Sequence, residues 1–404
     1  MRLLNIHSLA IENVDDVKRA TNVSKVPYVI ISHRWLENEL TFDDIYDNTL
    51  GFWERIRDPS WAKAQSAAKL LGACKKAGDF SHSKYGNEKH PDFVHHVWLD
   101  TVCINKRDPA ELSESINSMY RWYKEAAVCF VYIHDYRKGG KSRFADSSWF
   151  RRGWTLQELV APAARAFYDQ DWNSIGDKLS LVDEIVERTG ISRTILSHQA
   201  STRGVGDAIG DASVGHRMSW YADRQTTKGE DAAYCLMGLF GVNIPALYGE
   251  GAFRAFRRLQ EEILRYSDDH TLFAWVDATA TDDGTSKSSP GYGLLAPNPG
   301  CFRTSGAYEY REREYSGDGY TSEPYSLTNK GLSISLRMFR KEPDVYVASL
   351  DCLVDRNHHV GIFLKQVCER TNQYARIYPQ KLCKVEKASQ GQPRRVFIRQ
   401  TLDY

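Results

Sequence analysis

The chain has 404 residues, too many for one ordinary domain of about 150 and enough to bury a core without disulfide or metal staples. Its 53 Lys and Arg against 52 Asp and Glu leave a net charge of +1, which argues against a nucleic-acid binder or an anionic-membrane binder. No run of about 18 apolar residues offers a membrane span, and residues 1–7 lack the apolar stretch of a signal peptide. The 8 cysteines are scattered with no C-x-x-C pair, which suits free thiols in a reducing cytosol, so a cytoplasmic protein is expected.

In chain order, Tyr28, Val29, Ile30, Ile31 and Ser32 form a short β-branched apolar run, as in a strand buried on both faces. Residues 60–77 read as a helix with Trp61, Ala64, Ala68 and Leu71 on one stripe and Gly78 at its end; 79–92 read as a surface loop. A strand over 94–100 leads to an amphipathic helix over 112–127, whose stripe is Leu112, Ile116, Met119, Tyr120, Tyr123 and Ala127. A third strand follows over 128–133, then a charged loop over 135–148, a helix over 154–160 stopped before Pro162, and a short strand over 166–168. Strands alternating with helices predict an α/β fold with a parallel sheet, whose ligands sit beyond the carboxyl ends of the strands. Residues 32–35, 100–105 and 134–136 and the loop into the 154–160 helix are therefore the places to look.

Downstream, helices are expected over 178–189, 230–240 and 252–266, and a flexible stretch over 201–215. The last helix carries Ala252, Phe256, Leu259 and Ile263 on one face, with i,i+4 pairs Arg257–Glu261 and Arg258–Glu262 on the other. Residues 277–291 read as a linker. Beyond it, 332–336, 346–350 and 360–364 alternate with period two, as in an antiparallel β module. The expected organisation is 1–170, a helical extension over 171–275, and a β-rich module over 292–404.

Glu158 stands out chemically. It lies four residues after Trp154, so the two share a helix face, and a carboxylate beside a large apolar ring is partly desolvated, with its pKa raised. The plainer alternative is a surface glutamate paired with Arg151 or Arg152. Ser32, His33, Arg34 and Trp35 follow the first strand; they could grip a nucleotide, with Arg34 on phosphate and Trp35 stacked on a base, or simply form a polar turn anchored by an indole. After the second strand, Asp100 and Asn105 could each cap backbone amides or hold a ribose hydroxyl, while Cys103 reads better as a buried thiol than as a nucleophile. No metal site is expected: His95–His96 and His358–His359 are adjacent pairs that point to opposite faces of a strand, and His82, His90 and His96 have no cysteines at zinc spacing. Gly204, Gly206 and Gly210 follow no strand and do not have dinucleotide-loop spacing.

Four blocks together resemble a fungal heterokaryon-incompatibility (HET) domain over about 1–170. They are Tyr28 and Ser32-His33-Arg34-Trp35 with Thr41-Phe42-Asp43-Asp44 behind; Val97-Trp98-Leu99-Asp100 with Cys103-Ile104-Asn105; Ser115-Ile116-Asn117-Ser118-Met119-Tyr120 with Trp122-Tyr123; and Arg152-Gly153-Trp154-Thr155-Leu156-Gln157-Glu158-Leu159 with Ala161-Pro162. Leu36 stands where many relatives have Gly, and Lys106 where many have Gln. HET domains are in turn similar to Toll/interleukin-1 receptor (TIR) domains, which have a flavodoxin-like sheet and of which a subset cleave NAD+. The stretch Ser147-Ser148-Trp149 through Glu158 looks like the plant-type TIR stretch that ends in the catalytic glutamate, with Thr155 in place of a cysteine. The resemblance implies that Glu158 is catalytic, and that Ser32, His33, Arg34, Trp35, Asp100, Cys103, Asn105 and Trp154 bind the substrate NAD+, with no metal and no resident cofactor. It implies a cell-death effector that self-associates when active, with a sensor or partner protein. Two alternatives remain: a non-catalytic signalling module acting by self-association or recruitment, and a nucleotide-binding sensor without turnover.

Overall fold

The computed structural model describes residues 1–8, 10–35, 39, 41–46, 95–197, 209–281, 283, 291–310, 324–386 and 393–400. The chain divides into two compact units, 1–205 and 206–404.

The first unit holds a seven-stranded sheet of β1 (Arg2–Asn5), β2 (Ile11–Asn13), β3 (Tyr28–His33), β4 (His96–Trp98), β5 (Val128–Tyr132), β6 (Arg165–Tyr168) and β7 (Ser174–Asp177). The order is β2-β1-β4-β3-β5-β6-β7. Its four central strands, β4-β3-β5-β6, are parallel, as the runs over 28–32, 94–100, 128–133 and 166–168 predict. Every residue of β3 is buried, which explains its unbroken apolar run: neither face of the strand is a solvent side to alternate with. The antiparallel edges were not anticipated: β1 pairs with β4, β2 with β1, and β7 with β6.

Described helices in this unit are α1 (Val14–Thr21), α2 (Phe42–Tyr46), α3 (Asp100–Cys103), α4 (Pro109–Glu125), α5 (Thr155–Val160), α6 (Val182–Thr189) and α7 (Arg193–Ser197). The strand expected over 94–100 is shorter, because the chain turns into α3 at Asp100. α4 begins ahead of residue 112: Asp108 accepts the amides of Ala110 and Glu111, and Pro109 takes the first turn, where no amide is missed. Its buried side is Ser115, Ile116, Met119, Trp122 and Tyr123. α6 starts four residues later than expected, because the Asp177 carboxylate accepts the amides of Leu179 and Ser180 and folds that stretch into a turn. The helix expected over 60–77 lies outside the described residues.

The second unit contains α8 (Val214–Ser219), α9 (Asp231–Tyr234), α10 (Met237–Phe240) and α11 (Ala252–Ile263). The expected helix over 230–240 is two short helices, α9 and α10. The described end of 201–215 is packed rather than loose: Ile209, Ala212 and Val214 are buried, and Asp269 accepts the Val214 amide at 2.6 Å. Arg257 meets Glu261 at 2.8 Å as expected, but Arg258 turns to Glu250, and Glu262 pairs with Arg265.

The β-rich part holds β8 (Glu309–Tyr310), β9 (Ser326–Thr328), β10 (Gly331–Glu342), β11 (Val345–Asp355), β12 (His358–Cys368), β13 (Gln373–Ile377), β14 (Cys383–Glu386) and β15 (Pro393–Ile398). Strand pairing closes on itself: β10 with β11, β11 with β12, β12 with β13, β13 with β15, and β15 with β10. This is a five-stranded barrel, which removes free sheet edges around the ring. The expectation of an antiparallel module fails at one seam, where β13 and β15 run parallel. Of the expected linker, 284–290 lie outside the described residues; nearer its ends, Asp277 donates its amide to Pro379 and Asp283 accepts that of Tyr378. No described helix is long and apolar enough to cross a membrane.

Candidate functional site

At the carboxyl end of β3, Ser32 and His33 project to opposite faces of the sheet. The Ser32 hydroxyl donates to Glu158 Oε2 and accepts from Trp149 Nε1 at 2.8 Å. The Tyr123 phenol of α4 donates to the Ile31 carbonyl at 3.4 Å and acts electrostatically on Glu158. Glu158, on α5, is thus held through Ser32 of β3, itself bonded to Trp149 of the turn before α5, and is 5% exposed.

The electrostatics follow from that burial. Desolvation lifts the Glu158 carboxyl from an ordinary 4.5 to about 7; the Ser32 bond, the Arg152 guanidinium and the Tyr123 phenol pull it down, and the Asp100 carboxylate pushes it up. Acid and carboxylate therefore coexist near neutral pH, which suits a group that holds or moves a proton or offsets a developing positive charge.

A local network fixes Trp149. Asp135, just after β5, accepts the Ser147 hydroxyl at 2.6 Å and the Ser148 amide at 2.8 Å, and the Ser147 oxygen accepts the Trp149 amide. Burial would raise the Asp135 carboxyl, but these hydrogen bonds outweigh it and hold it below its ordinary value. The Trp149 ring is fully buried, with the Phe150 and Phe167 rings packed edge-on to it. Thr155 ties the turn into α5 by reaching back to the Trp149 and Arg152 carbonyls, at 2.6 and 2.8 Å.

Trp35 forms an outer layer. It is 43% exposed, and its Nε1 donates to Asp100 Oδ2 at 2.7 Å. Lys106 Nζ lies 3.5 Å and Arg152 Cζ 4.8 Å from its ring centroid. Asp100 and Arg152 each touch Trp35 and each act electrostatically on Glu158, so this indole borders the same site.

Of the residues singled out in the sequence, Ser32, Trp35, Asp100 and Glu158 come together. Asp100 spends a carboxylate oxygen on Trp35. His33 is on the other face, bonded to Glu39 at 2.7 Å. Arg34 is exposed. Cys103 is buried, its thiol pushed up to about 12 chiefly by desolvation, as suits a structural thiol and not a nucleophile. Asn105 shapes the turn between α3 and α4: its side chain accepts the Arg107 amide, and its own amide goes to Glu111. Trp154 is half-buried at the start of α5. The reading of Glu158 as a surface residue paired with Arg151 or Arg152 is corrected by its burial. The indole hydrogen-bonded into its network is Trp149, through Ser32. Trp149, Tyr123, Arg152 and Lys106 were not anticipated as site residues. The available signal was weak: a buried Trp or Tyr needs a polar partner, but sequence does not say which. Among the described residues, no group of three or more His, Cys, Asp or Glu is placed to hold a metal ion.

Residues 28–142 match the family described as heterokaryon incompatibility protein (HET), and residues 254–308 match a domain of unknown function, DUF8212. The chain is 36% identical over 255 residues to vegetative incompatibility protein HET-E-1 of Podospora anserina; the match takes in 59% of this chain and spans 16% of that protein's length. No solved structure matches the chain significantly. Ser32, Trp35, Asp100, Lys106 and Tyr123 fall inside the family match, and Trp149, Arg152 and Glu158 lie beyond its end. The match to the heterokaryon incompatibility (HET) family lies within the first unit of the chain.

Proposed function

We propose that the first unit hydrolyses NAD+ at the bond between ribose C1′ and nicotinamide, and that this serves an incompatibility or cell-death response in the cytoplasm, with self-association of the chain in its active state. The observation that carries this reading is Glu158: a carboxyl buried at the carboxyl edge of a parallel sheet, bonded to Ser32, with its pKa raised to about 7 by burial. The similarity to HET-E-1 supports the biological role, and the TIR resemblance supports the choice of NAD+.

The chemistry asks little of the protein. The pyridinium is already cationic, so when the C1′–N bond breaks its electron pair neutralises the leaving nicotinamide. The ribose then carries oxocarbenium character, which the Glu158 carboxylate offsets; water adds at C1′ and gives up a proton to Glu158 or to solvent. Ser32, held by Trp149, fixes the carboxylate.

The test is NAD+ incubation with the folded chain at rising protein concentration, with nicotinamide and ADP-ribose quantified. Both products should appear, with specific activity rising as the chain self-associates. Intact NAD+ at every concentration overturns the glycohydrolase reading and leaves a non-catalytic module.

A further inference from the structure

Trp149 has two N–H groups, and each donates to a serine whose hydroxyl donates in turn to a carboxyl group. The backbone amide donates to Ser147 Oγ at 3.1 Å, and Ser147 donates to Asp135 at 2.6 Å. The indole Nε1 donates to Ser32 Oγ at 2.8 Å, and Ser32 donates to Glu158 Oε2. An indole nitrogen only donates, so Ser32 accepts from it and its single hydrogen is left for Glu158. A serine that donates favours the ionised form of Glu158. Without the indole, the hydroxyl can turn and accept from the protonated acid, which favours the neutral form. Asp135 holds the far end of this relay. It follows β5, is exposed, and also accepts the Ser148 amide at 2.8 Å, so one carboxylate ties both ends of the 135–148 loop together beside Trp149.

We propose that Asp135 is a positioning residue for Glu158: through Ser147, Trp149 and Ser32 it keeps the Ser32 hydroxyl donating to that carboxyl. Its bearing on NAD+ cleavage rests on the glycohydrolase reading; the coupling itself does not require turnover. The other groups acting on Glu158 are Asp100 of α3, Arg152 of the turn before α5, the Tyr123 phenol of α4 and the buried Cys129 thiol of β5, and none belongs to the relay. Asp135 itself faces His134. The sign of the effect separates positioning from plain charge. Removing a distant negative charge eases ionisation of Glu158 and lowers its midpoint, whereas releasing the Ser32 hydroxyl hinders ionisation and raises it.

Asp135→Asn and Ser147→Ala interrupt the relay at two points, and Ser147→Thr keeps the bridging hydroxyl. All three are compared with wild type in the full chain. The readout is the Trp149 indole N–H resonance, one of 10 such signals, assigned through its contacts with the Phe150 and Phe167 rings. In wild type it should titrate with a midpoint at about 7 as Glu158 ionises. Asp135→Asn and Ser147→Ala should each raise that midpoint by about half a pH unit or more, and the midpoint of NAD+ cleavage with it, while Ser147→Thr keeps the wild-type value. A midpoint unmoved or lowered in either interrupting variant, or an indole signal that does not titrate in wild type, overturns the positioning role. Raised indole midpoints in a chain that leaves NAD+ intact overturn the glycohydrolase reading alone, and NAD+ cleavage whose midpoint ignores both variants overturns the positioning role alone.

Discussion

Replacing Glu158 by Gln should shift the stability of the first unit in the variant's favour, relative to wild type, as pH rises from acid to alkaline. The carboxyl titrates near an ordinary 4.5 in the unfolded chain and is lifted to about 7 in the folded one, first of all by burial. The folded state therefore binds this proton more tightly, and the group's contribution to stability is full at low pH and lost as pH rises through about 7. At ~1.4 kcal/mol for each pH unit in that window, ionised Glu158 costs the fold about 3 kcal/mol by about pH 8. Gln keeps the size, accepts the Ser32 hydroxyl, and does not ionise; its second N–H costs about 1–3 kcal/mol at every pH if it finds no acceptor. Hydrogen exchange of the β3 amides reports the first unit alone. The protection of these amides in Glu158→Gln, relative to wild type, should rise by about 3 kcal/mol between about pH 4 and about pH 8. A variant that tracks wild type across the whole range would falsify the reasoning, since Glu158 would then titrate at its ordinary value.

Two further changes probe the site and the barrel. NAD+ cleavage should rise with pH through a midpoint at about 7 as Glu158 ionises and level off above it. Ser32→Ala removes a bond that stabilises the carboxylate, so it should move that midpoint upward and cost about 1–3 kcal/mol by orphaning Trp149 Nε1; an unmoved midpoint counts against the Ser32 bond. In the second unit, Gly331 has φ 119°, and a Cβ there would stand 2.1 Å from the Ile398 carbonyl oxygen, so Gly331→Ala should cost about 3 kcal/mol or more. Melting like wild type would show that the β10–β15 seam yields easily.

The centre of the sheet was legible because β3 and β5 lie in the middle of a parallel sheet, and double burial leaves an unmistakable apolar run. The β1–β2 hairpin was not, because Arg2–Asn5 and Ile11–Asn13 are short and carry no two-residue turn signal between them. Barrel closure was equally hidden. The parallel contact of β13 with β15 is a long-range pairing that local periodicity does not encode, and β15 opens Pro-Arg-Arg, which breaks its alternation. Glu158 could be singled out from its own segment. Its partners could not: Tyr123 reads as one more apolar stripe residue of α4, and the Ser32–Trp149 bond joins positions 117 residues apart. The resemblance located the carboxylate, but only packing explains why it titrates near neutrality.

Nicotinamide release from NAD+, compared between wild type and Glu158→Gln at matched concentrations of folded chain, bears most directly on the role of Glu158. Wild type should release nicotinamide, and the variant should do so at least about 10² more slowly, because an amide of the same shape carries no charge to offset an oxocarbenium ion. Equal release by the two chains would contradict that role.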